Sequence, residues 1–266
     1  MDSKLYKTCY NALTDHEDVL LLSQKYEIPA GVLSTILNQK VVTLVKRSYR
    51  QFNEKENEFV ACWKAGETFL DLAKKCGYPP TLVMSVILKK NGYNKKQIAA
   101  FYKNPTGIQN PRIRSELLEA LDADYYFSPR AHKMQEIKGK AGEEIISGWL
   151  KLKECEFLCE DEIRASGPGK TPDFVLKKPI RISGHEIHWV ESKALFGDMA
   201  EHKHYEKNQF LEYSEIYGTG LVVYWFGFIS EITENLPDNY HVVDFSFFKE
   251  DLGDQVEKLL NYSIYW

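Results

Sequence analysis

Two short apolar stretches separated by a turn sequence impose the strongest constraint on the fold of this chain. Residues 171–176 and 187–194 are rich in β-branched and aromatic side chains and are bounded by Pro or Gly. These features predict two short β-strands, with Pro179 marking a bend in the first. Ser183 and Gly184 lie between them and favour a tight hairpin turn, because Gly readily accepts a positive φ. The sequence therefore predicts a β-hairpin.

The predicted hairpin brings charged side chains onto neighbouring strands. Asp173 lies in the first strand, and Glu191 and Lys193 share one face of the second because side chains alternate along a strand. Two carboxylates can hold a hard divalent cation such as Mg²⁺ or Mn²⁺, and an ammonium group beside them can act on an attacking water. The alternative is a pair of solvent-facing acids, with Lys193 in a structural salt bridge. The apolar neighbours disfavour it, because clustered buried carboxylates are costly unless a cation neutralises them.

The motif residues resemble those of a known nuclease family. Pro172-Asp173 followed by Glu191-Ser192-Lys193 resembles the PD-(D/E)xK motif, and the Thr-Pro-Asp tripeptide with the apolar stretch 220–228 resembles the narrower TPD-motif family, which has animal and archaeal members. The resemblance is dense over residues 139–229. It implies a restriction-endonuclease-like α/β core of order α-β-β-β-α-β with a mixed sheet. It also implies a metal-dependent deoxyribonuclease that leaves 5′-phosphate and 3′-hydroxyl ends.

The resemblance extends to a glutamate on the first helix of that core. Residues 138–143 are similar to a first-helix glutamate motif that is also found in archaeal junction resolvases, for which Glu143 and Glu144 compete. Helical spacing favours Glu143 as a third metal ligand, because Ile146 and Leu150 share its face. The alternative is an ordinary first-turn acid stabilised by the helix dipole.

The next helix supplies two further candidates. Gln209 and Tyr213 match a Gln-x-x-x-Tyr pattern that some members of the fold carry, and residues at i and i+4 face the same way. We expect Gln209 to belong to the catalytic set and Tyr213 to contact nucleic acid, although Tyr213 is equally compatible with a core position. His202 and His204 point in divergent directions on a helix, so we expect solvent-exposed or phosphate-contacting side chains rather than metal ligands.

The first half of the chain predicts helices and contains an internal repeat with a 50-residue offset. Residues 20–40 and 70–90 each show an amphipathic helix, a short break containing Pro, and a second amphipathic helix, which is the outline of a helix-turn-helix. We therefore predict an all-helical domain over residues 1–128 with two helix-turn-helix-like repeats, followed by a nuclease domain over residues 129–266.

Basic residues favour the helical half as the part that contacts nucleic acid. Residues 1–128 carry 18 Lys and Arg against 14 Asp and Glu, whereas residues 129–266 carry 16 against 24. Basic runs that follow the second helix of each repeat would bind phosphates. The alternatives are solvated faces of a helical bundle and a protein-binding surface. The predicted nucleic-acid contacts are Lys46, Arg47, Lys89, Lys90, Lys95, Lys96 and, beside the loop before Asp173, Lys170.

The remaining sequence features bound the class of protein. No apolar run approaches the roughly 20 residues of a membrane span, and no signal-peptide pattern follows the charged N-terminus. We expect an intracellular protein, cytoplasmic in a prokaryote and both nuclear and cytoplasmic in a eukaryote. Five irregularly spaced cysteines argue against a disulfide framework.

Three functions are compatible with these observations. The first is a divalent-metal-dependent DNA endonuclease, by analogy selective for branched or single-strand-containing DNA. The second is a nuclease-fold scaffold that binds nucleic acid and a partner protein, since an animal member of the resembled family is named for such a partner. The third, a transcription regulator, leaves the second half unexplained. A homodimer is compatible with the first, because enzymes that cut both strands are commonly dimeric.

Overall fold

The computed structural model describes residues 1–165 and 169–261 and divides the chain into two compact units. The first unit comprises Met1–Leu37 together with the chain from Glu136 onward, and the second comprises Asn38–Gln135. The predicted helical domain over residues 1–128 differs from these units, because the first 37 residues belong to the same unit as the sheet. Among the helices of the described residues, none is long and apolar enough to cross a membrane.

The first unit contains a five-stranded mixed sheet. Its strands occur in the order of the sequence; β1, β2 and β3 are antiparallel, and β3, β4 and β5 are parallel. A parallel pair needs a crossover connection, and helices between β3 and β4 provide it. The strands are β1 (Phe157–Cys159), β2 (Phe174–Ile182), β3 (His185–Lys193), β4 (Gly220–Tyr224) and β5 (Tyr240–Asp244).

The predicted hairpin is formed by β2 and β3. Ser183 and Gly184 have φ values of 50° and 89°, the pair of positive angles that a two-residue type I′ turn requires. The pairing register shifts between Val175 and Ile180, around Pro179, which has no N–H to donate to the ladder. The hairpin and the bend at Pro179 are thus confirmed.

Helices surround the sheet and form the second unit. α1, α2 and α10–α13 belong to the first unit, α4–α8 belong to the second, and α3 and α9 run from one into the other. The helices are α1 (Ser3–Ala12), α2 (His16–Tyr26), α3 (Ala30–Glu54), α4 (Glu56–Lys64), α5 (Phe69–Cys76), α6 (Pro80–Lys90), α7 (Lys95–Lys103), α8 (Pro111–Ala123), α9 (Pro129–Leu152), α10 (Glu160–Ala165), α11 (Met199–Tyr205), α12 (Leu211–Tyr217) and α13 (Lys249–Asn261).

The core of the first unit is built against β4, of which every residue is buried. Helix α9 approaches the sheet closely at Gly142, where an added Cβ would lie 2.3 Å from Trp225 Nε1 and 2.9 Å from Ser192 Oγ. The same indole donates a hydrogen bond of 2.8 Å to Ser192 Oγ. The glycine therefore fixes how near the helix lies to the strand that carries Glu191 and Lys193.

The second unit is a helical bundle with its own core, in which the buried acid Glu116 is paired. Phe69, Leu117 and many other apolar side chains form the core cluster. Glu116 accepts hydrogen bonds from the Trp63 indole at 2.8 Å and from the backbone N–H of Phe69 at 3.2 Å, and Arg112 pairs with it at 2.6 Å. The buried charge is thereby compensated.

Both sequence repeats contain two helices joined by a short break. Glu27 follows the last residue of α2 and Gly77 follows the last residue of α5, and both have left-handed φ values, of 53° and 68°. α6 begins at Pro80, which suits the first turn of a helix. The α5–α6 pair lies wholly in the second unit, whereas α2 and the start of α3 belong to the first. A role for these pairs in binding DNA stays a prediction.

Candidate active site

Asp173 and Glu191 lie next to each other at the paired ends of β2 and β3. The backbone N–H of Asp173 donates to Glu191 Oε2 at 3.2 Å, and the backbone N–H of Ser192 donates to Asp173 Oδ2 at 2.7 Å. The hairpin register aligns Phe174 with Val190, so the two carboxylates necessarily meet. The structure therefore brings together the two acids that the motif spacing predicted to be neighbours.

Lys193 is a buried counter-ion of this pair. Glu191 and Lys193 are only 4% and 9% exposed, and the Lys193 ammonium forms a short charged hydrogen bond with Glu191 Oε1. It also lies 4.4 Å from the ring centroid of Tyr205, within the range of a cation–π interaction. Lys193 thus forms a salt bridge with Glu191, which the sequence analysis gave as the alternative to a catalytic role. The salt bridge and a catalytic role are compatible.

Gln209 completes the contacts of Lys193. Its Oε1 atom accepts a hydrogen bond of 2.8 Å from the Lys193 ammonium. Gln209 lies in a π-helical turn, Glu206–Phe210, between α11 and α12, and such turns occur frequently at functional sites. Tyr205, immediately before this turn, was not selected from the sequence, because a lone tyrosine on a predicted helix carries no distinguishing pattern.

A cavity of about 290 Å³ opens beside Asp173. Glu143 and Glu144 on α9 both line it, together with Glu160 at the start of α10. Glu143 is exposed, so it lies at the rim and not on the buried face that helical spacing suggested. Glu160 was missed by the sequence analysis: its Oε1 accepts a 2.6 Å hydrogen bond from Arg164, and only the fold brings it near Asp173.

The electrostatics of the site disfavour ionised carboxylates. Burial, and then the charge of Asp173, raise the pKa of Glu191 to about 8. Burial raises the pKa of Asp173 as well, against the lowering effect of the Ser192 N–H and of Lys193. The pKa of Glu143 is raised by desolvation, then by Asp173 and Glu160. One lysine therefore does not balance the clustered acids, and a bound cation would.

The donor set fits a hard divalent cation chemically. Asp173, Glu143 and Glu160 present carboxylate oxygens around one cavity, and such oxygens are the ligands that Mg²⁺ and Mn²⁺ prefer. Asp173 Oδ1 accepts no hydrogen bond from a described residue. Within residues 1–165 and 169–261, no three His, Cys, Asp or Glu side chains already stand close enough to hold a metal ion. Both Glu191 oxygens instead accept protein hydrogen bonds, from Lys193 and from the backbone of Asp173.

Two side chains on the helices after β3 lie deeper than the sequence suggested. Tyr213 is buried and packs edge-on against Trp189, which places it in the core and not at a nucleic-acid surface. His202 was expected to be exposed, but it is buried between the hydroxyl groups of Tyr224 and Tyr240, at 3.0 and 3.1 Å. That expectation was wrong because the sheet supplies hydrogen-bond partners that helical geometry alone does not reveal. His204 is exposed, as expected.

The predicted phosphate contacts are all exposed, and they differ in their partners. Lys90 pairs with Glu56 at 2.7 Å, and Lys170 pairs with Glu212 at 2.8 Å. The others form no ion pair with any residue that the structure describes; they are Lys46, Arg47, Lys89, Lys95 and Lys96. Of the loop before Asp173 that Lys170 follows, residues 166–168 lie outside the described residues.

Comparison with known proteins places this arrangement in a family. A family model described as a protein of unknown function with the TPD sequence motif matches residues 109–246, more than half of the chain. The chain belongs to the TPD sequence-motif family. This range contains the hairpin, α9 and the π-helical turn, so every residue of the candidate site lies within the TPD match.

Relatives of this TPD-family chain carry the name CDAN1-interacting nuclease 1. The mouse and human proteins are each 35% identical to it over 178 residues, which cover 64% of this chain and 63% of theirs. The Xenopus laevis protein is 30% identical over 222 residues, covering 77% of this chain and 73% of its own length. The chain thus spans less than two thirds of the mouse and human proteins. No solved structure was found to match it.

Proposed function

We propose that the protein is a divalent-metal-dependent endonuclease that hydrolyses phosphodiester bonds in DNA. The observation that supports this most is the arrangement of Asp173, Glu191 and Lys193, which share hydrogen bonds at the paired ends of β2 and β3. A structural role alone gives no physical reason to bury Glu191 beside a half-buried Asp173 and raise the pKa of both. The names of the relatives agree with a nuclease.

Each member of the site has a distinct task in this proposal. Asp173 and Glu191 would hold the cation, with Glu143 or Glu144 contributing from α9 and Glu160 from α10. Glu191 would exchange one of its protein hydrogen bonds for the cation. Lys193 would orient the attacking water, take part in its deprotonation and stabilise charge on the phosphorus-centred transition state. Gln209 and Tyr205 would keep the Lys193 ammonium in place, through the 2.8 Å hydrogen bond and the ring contact.

A bound Mg²⁺ or Mn²⁺ ion would supply Lewis-acid activation of the phosphate and would lower the pKa of its water. The protein supplies the remaining requirements. The hairpin register sets the position of the two acids relative to each other, and Gly142 sets the distance of α9, which carries Glu143, from β3. Rigid placement of this kind is what allows reacting groups to meet in a productive geometry.

The DNA substrate would be held by the exposed basic side chains of α3, α6 and α7. Lys46, Arg47, Lys89, Lys95 and Lys96 have no acidic partner among the described residues, so their charge is available to phosphates. Branched or single-strand-containing DNA is the substrate class that we favour, by analogy with junction resolvases.

A cleavage assay tests the proposal. Labelled single-stranded, duplex, flap and four-way-junction DNA, and an RNA strand of the same sequence, are incubated with Mg²⁺, Mn²⁺ or EDTA. We expect metal-dependent cutting of DNA by the wild type and a loss on the order of 10²-fold or more in Asp173→Asn, the scale found when one charge-stabilising group is removed. Asparagine keeps the oxygen that accepts from Ser192, so the hairpin should stay folded.

The matched control is Asp161→Asn, an exposed aspartate that lines the same cavity. It should cut at close to the wild-type rate. Equal cutting by Asp173→Asn, or no cutting of any substrate by pure wild-type protein with either metal, would contradict the nuclease.

That result would favour the second candidate function, a scaffold that binds a partner protein. The relatives are named for interaction with CDAN1, which favours a nuclease-fold scaffold that binds a partner protein. Binding of DNA without cleavage, together with capture of a purified CDAN1 protein, would be its expected result.

A further inference from the structure

Three helices of the second unit enclose a small groove. It has a volume of about 260 Å³ and lies between α3, α6 and α7. We call it the α3–α6–α7 groove; its lining includes Tyr49, Asn53, Ser85, Lys89, Lys95 and Tyr102. Pockets that enclose a whole drug-sized ligand occupy roughly 300–1,000 Å³. The groove is therefore suited to a single ring-sized group.

Aromatic rings form one side of the groove. Tyr49 is 48% exposed, although it is a large amphipathic side chain. Beneath it lies Phe52, whose ring is 6.4 Å from that of Tyr49 and stacks on Tyr78 at 4.1 Å. The stack holds Phe52 in place, and Tyr49 presents a ring on which a flat group can stack.

Polar groups of the groove can bind the edge of such a flat group. Asn53 forms no hydrogen bond with any described residue, so both its amide donor and its acceptor remain to be used. The Ser85 hydroxyl donates to the carbonyl of Thr81 at 2.7 Å, and the Tyr102 hydroxyl lies 2.7 Å from Ser85 Oγ and 3.2 Å from the same carbonyl. Both hydroxyl groups use their protons within the protein, so they can accept from a bound group but not donate to it. These amide and hydroxyl groups lie within one small space, whereas a bound peptide backbone would need partners spaced along an extended groove.

The charge of the groove favours an anion. Lys89 and Lys95 both line it, and neither has an acidic partner in the part of the chain that the structure describes. The acid in the lining, Glu56, is already paired with Lys90 at 2.7 Å. Lys46 precedes Tyr49 by three residues and therefore lies on the same face of α3. Aromatic rings interleaved with cations are the pattern that binds single-stranded nucleic acid.

From this combination we infer that the α3–α6–α7 groove binds one unstacked nucleobase of single-stranded DNA, with Lys89 and Lys95 on the flanking phosphates. The inference rests on the proposed function for the DNA substrate and makes that substrate more specific. A base paired within a duplex has no free face to stack on Tyr49. The site therefore selects DNA that contains a single-stranded segment.

Helix α7 provides two pairs of neighbouring residues for the test. Lys95 and Ala99 line the groove, whereas Lys96 and Ala100 are equally exposed and do not. Ala99→Trp would fill the groove and Ala100→Trp is its control; Lys95→Gln and Lys96→Gln form the second pair. Tyr49→Ala removes the exposed ring. Thermal melting of each full-length variant verifies that it is folded.

Binding is measured in EDTA by fluorescence anisotropy with a labelled oligo-dT, an abasic strand of equal length and a duplex. We expect Ala99→Trp and Tyr49→Ala to weaken oligo-dT binding about 5- to 150-fold, the range for loss of one stacked base. Binding of the abasic strand and of the duplex should change by less than twofold. Ala100→Trp should bind oligo-dT like the wild type, and Lys95→Gln should lose more affinity than Lys96→Gln.

Three results would overturn the inference. Unchanged oligo-dT binding in both Ala99→Trp and Tyr49→Ala would remove the groove as a base site, and equal losses on oligo-dT and duplex would leave only general phosphate contact. An acidic tryptophan-containing peptide is included as a competitor. If Ala99→Trp abolishes binding of the peptide but leaves binding of oligo-dT unchanged, the occupant of the groove is a protein.

The outcomes separate this inference from the proposed function. Groove-dependent oligo-dT binding by a protein that cuts nothing would refute the nuclease and keep the groove. Metal-dependent cutting, with oligo-dT affinity unchanged in both Ala99→Trp and Tyr49→Ala, would support the nuclease and refute the groove as a base site.

Discussion

The charged side chains of the two units differ in burial and pairing. In the first unit, Glu191 and Lys193 are at most 9% exposed and are hydrogen-bonded to each other. In the second unit, Lys89 and Lys95 are exposed and have no acidic partner among the described residues. The physical consequences differ. Burying a charge is costly unless it is paired and hydrogen-bonded. Replacing either Glu191 or Lys193 alone therefore leaves its buried partner unpaired. Exposed lysines cost almost nothing to the fold, and each can be changed separately.

The comparison also shows how far each kind of charge supports a functional conclusion. A buried acidic cluster with raised pKa values needs an explanation, and a cation site provides one. Exposed basic residues are common on surfaces and need none. The case for the second unit therefore depends on the aromatic and amide groups that accompany Lys89 and Lys95 in the α3–α6–α7 groove.

The largest expected effect is that of Lys193→Met. Without the ammonium, the Glu191 carboxyl, whose pKa is already raised to about 8, is protonated at neutral pH and loses a hydrogen-bond donor. We therefore expect about 1–3 kcal/mol of destabilisation and a rate loss of about 10²- to 10⁴-fold. Urea unfolding and the DNA cleavage assay measure the two effects. The double variant Glu191→Gln/Lys193→Met should regain most of the stability and none of the activity. A single variant as stable as the wild type would refute the view that Lys193 compensates a buried charge.

A second buried lysine should behave in the opposite way. Lys138 on α9 is 8% exposed, lies 5.5 Å from the ring centroid of Phe226, and has a pKa lowered to about 8 by burial. The folded state thus releases this proton at lower pH than the unfolded chain, and stability should rise between pH 8 and 10.5. Lys138→Met should gain up to about 3 kcal/mol at pH 7, and the gain should vanish toward pH 10.5.

Chemical denaturation across this pH range tests the Lys138 prediction. Lys140→Met is the control, because Lys140 lies on the same helix, is exposed and pairs with Glu136 at 3.0 Å. It should show no such gain. A loss of stability in Lys138→Met would mean that the ammonium is better satisfied than its surroundings indicate.

Gly142→Ala should cost an intermediate amount. The new Cβ would approach the Trp225 indole nitrogen to 2.3 Å, and overpacking of a well-filled core typically costs about 1–3 kcal/mol. Gly139→Ala on the same helix has no atom within 4 Å of the new Cβ, so it should stabilise by roughly 0.5–1 kcal/mol. Thermal unfolding compares the two, and equal effects would show that α9 can move away from the sheet.

The smallest effects on the fold belong to the exposed lysines. Lys89→Gln should change stability by less than about 0.5 kcal/mol. The slope of log K against log salt for DNA binding should fall by about 0.7–0.9 for the lost phosphate contact. Lys75→Gln is the control, since Lys75 pairs with Glu67 at 2.6 Å, and its slope should not change. Titrations at three or more salt concentrations give the slopes, and equal slopes for both variants would contradict phosphate binding at Lys89.

Features with local causes could be predicted from the sequence. The hairpin follows from alternating side chains and from Ser183-Gly184, and the proximity of Asp173 to Glu191 follows from the hairpin. These patterns need no knowledge of distant residues.

Features that depend on distant contacts could not be predicted. β1 has only three residues and is defined by its pairing with β2. Glu160 belongs to the cavity because the fold brings α10 beside Asp173, and His202 is buried because tyrosines of the sheet bind its ring. The π-helical turn that contains Gln209 lies directly before α12, and no local sequence pattern reveals it.

The position of α1 likewise lay beyond local reasoning. The ring of Tyr6 stacks on Phe196, with centroids 5.3 Å apart, and the N–H of Ser3 donates to Glu231 at 3.0 Å. Residues about 190 to 230 positions apart thus hold α1 in the first unit. The boundary at residue 128, which was predicted from the helical pattern of the first half, separates this helix from the sheet to which it belongs.

The division of the first unit between two parts of the chain has a consequence for its formation on the ribosome. Met1–Leu37 emerges early, but its partners around Phe196 and Glu231 are made much later, after the whole of Asn38–Gln135. At about 5–20 residues per second this delay lasts roughly ten seconds or more. The second unit can form its own core during that interval, whereas Leu5, Leu13 and their neighbours must wait. Nascent chains stalled after residue 135 should therefore contain a protease-resistant helical unit preceded by a protease-sensitive α1.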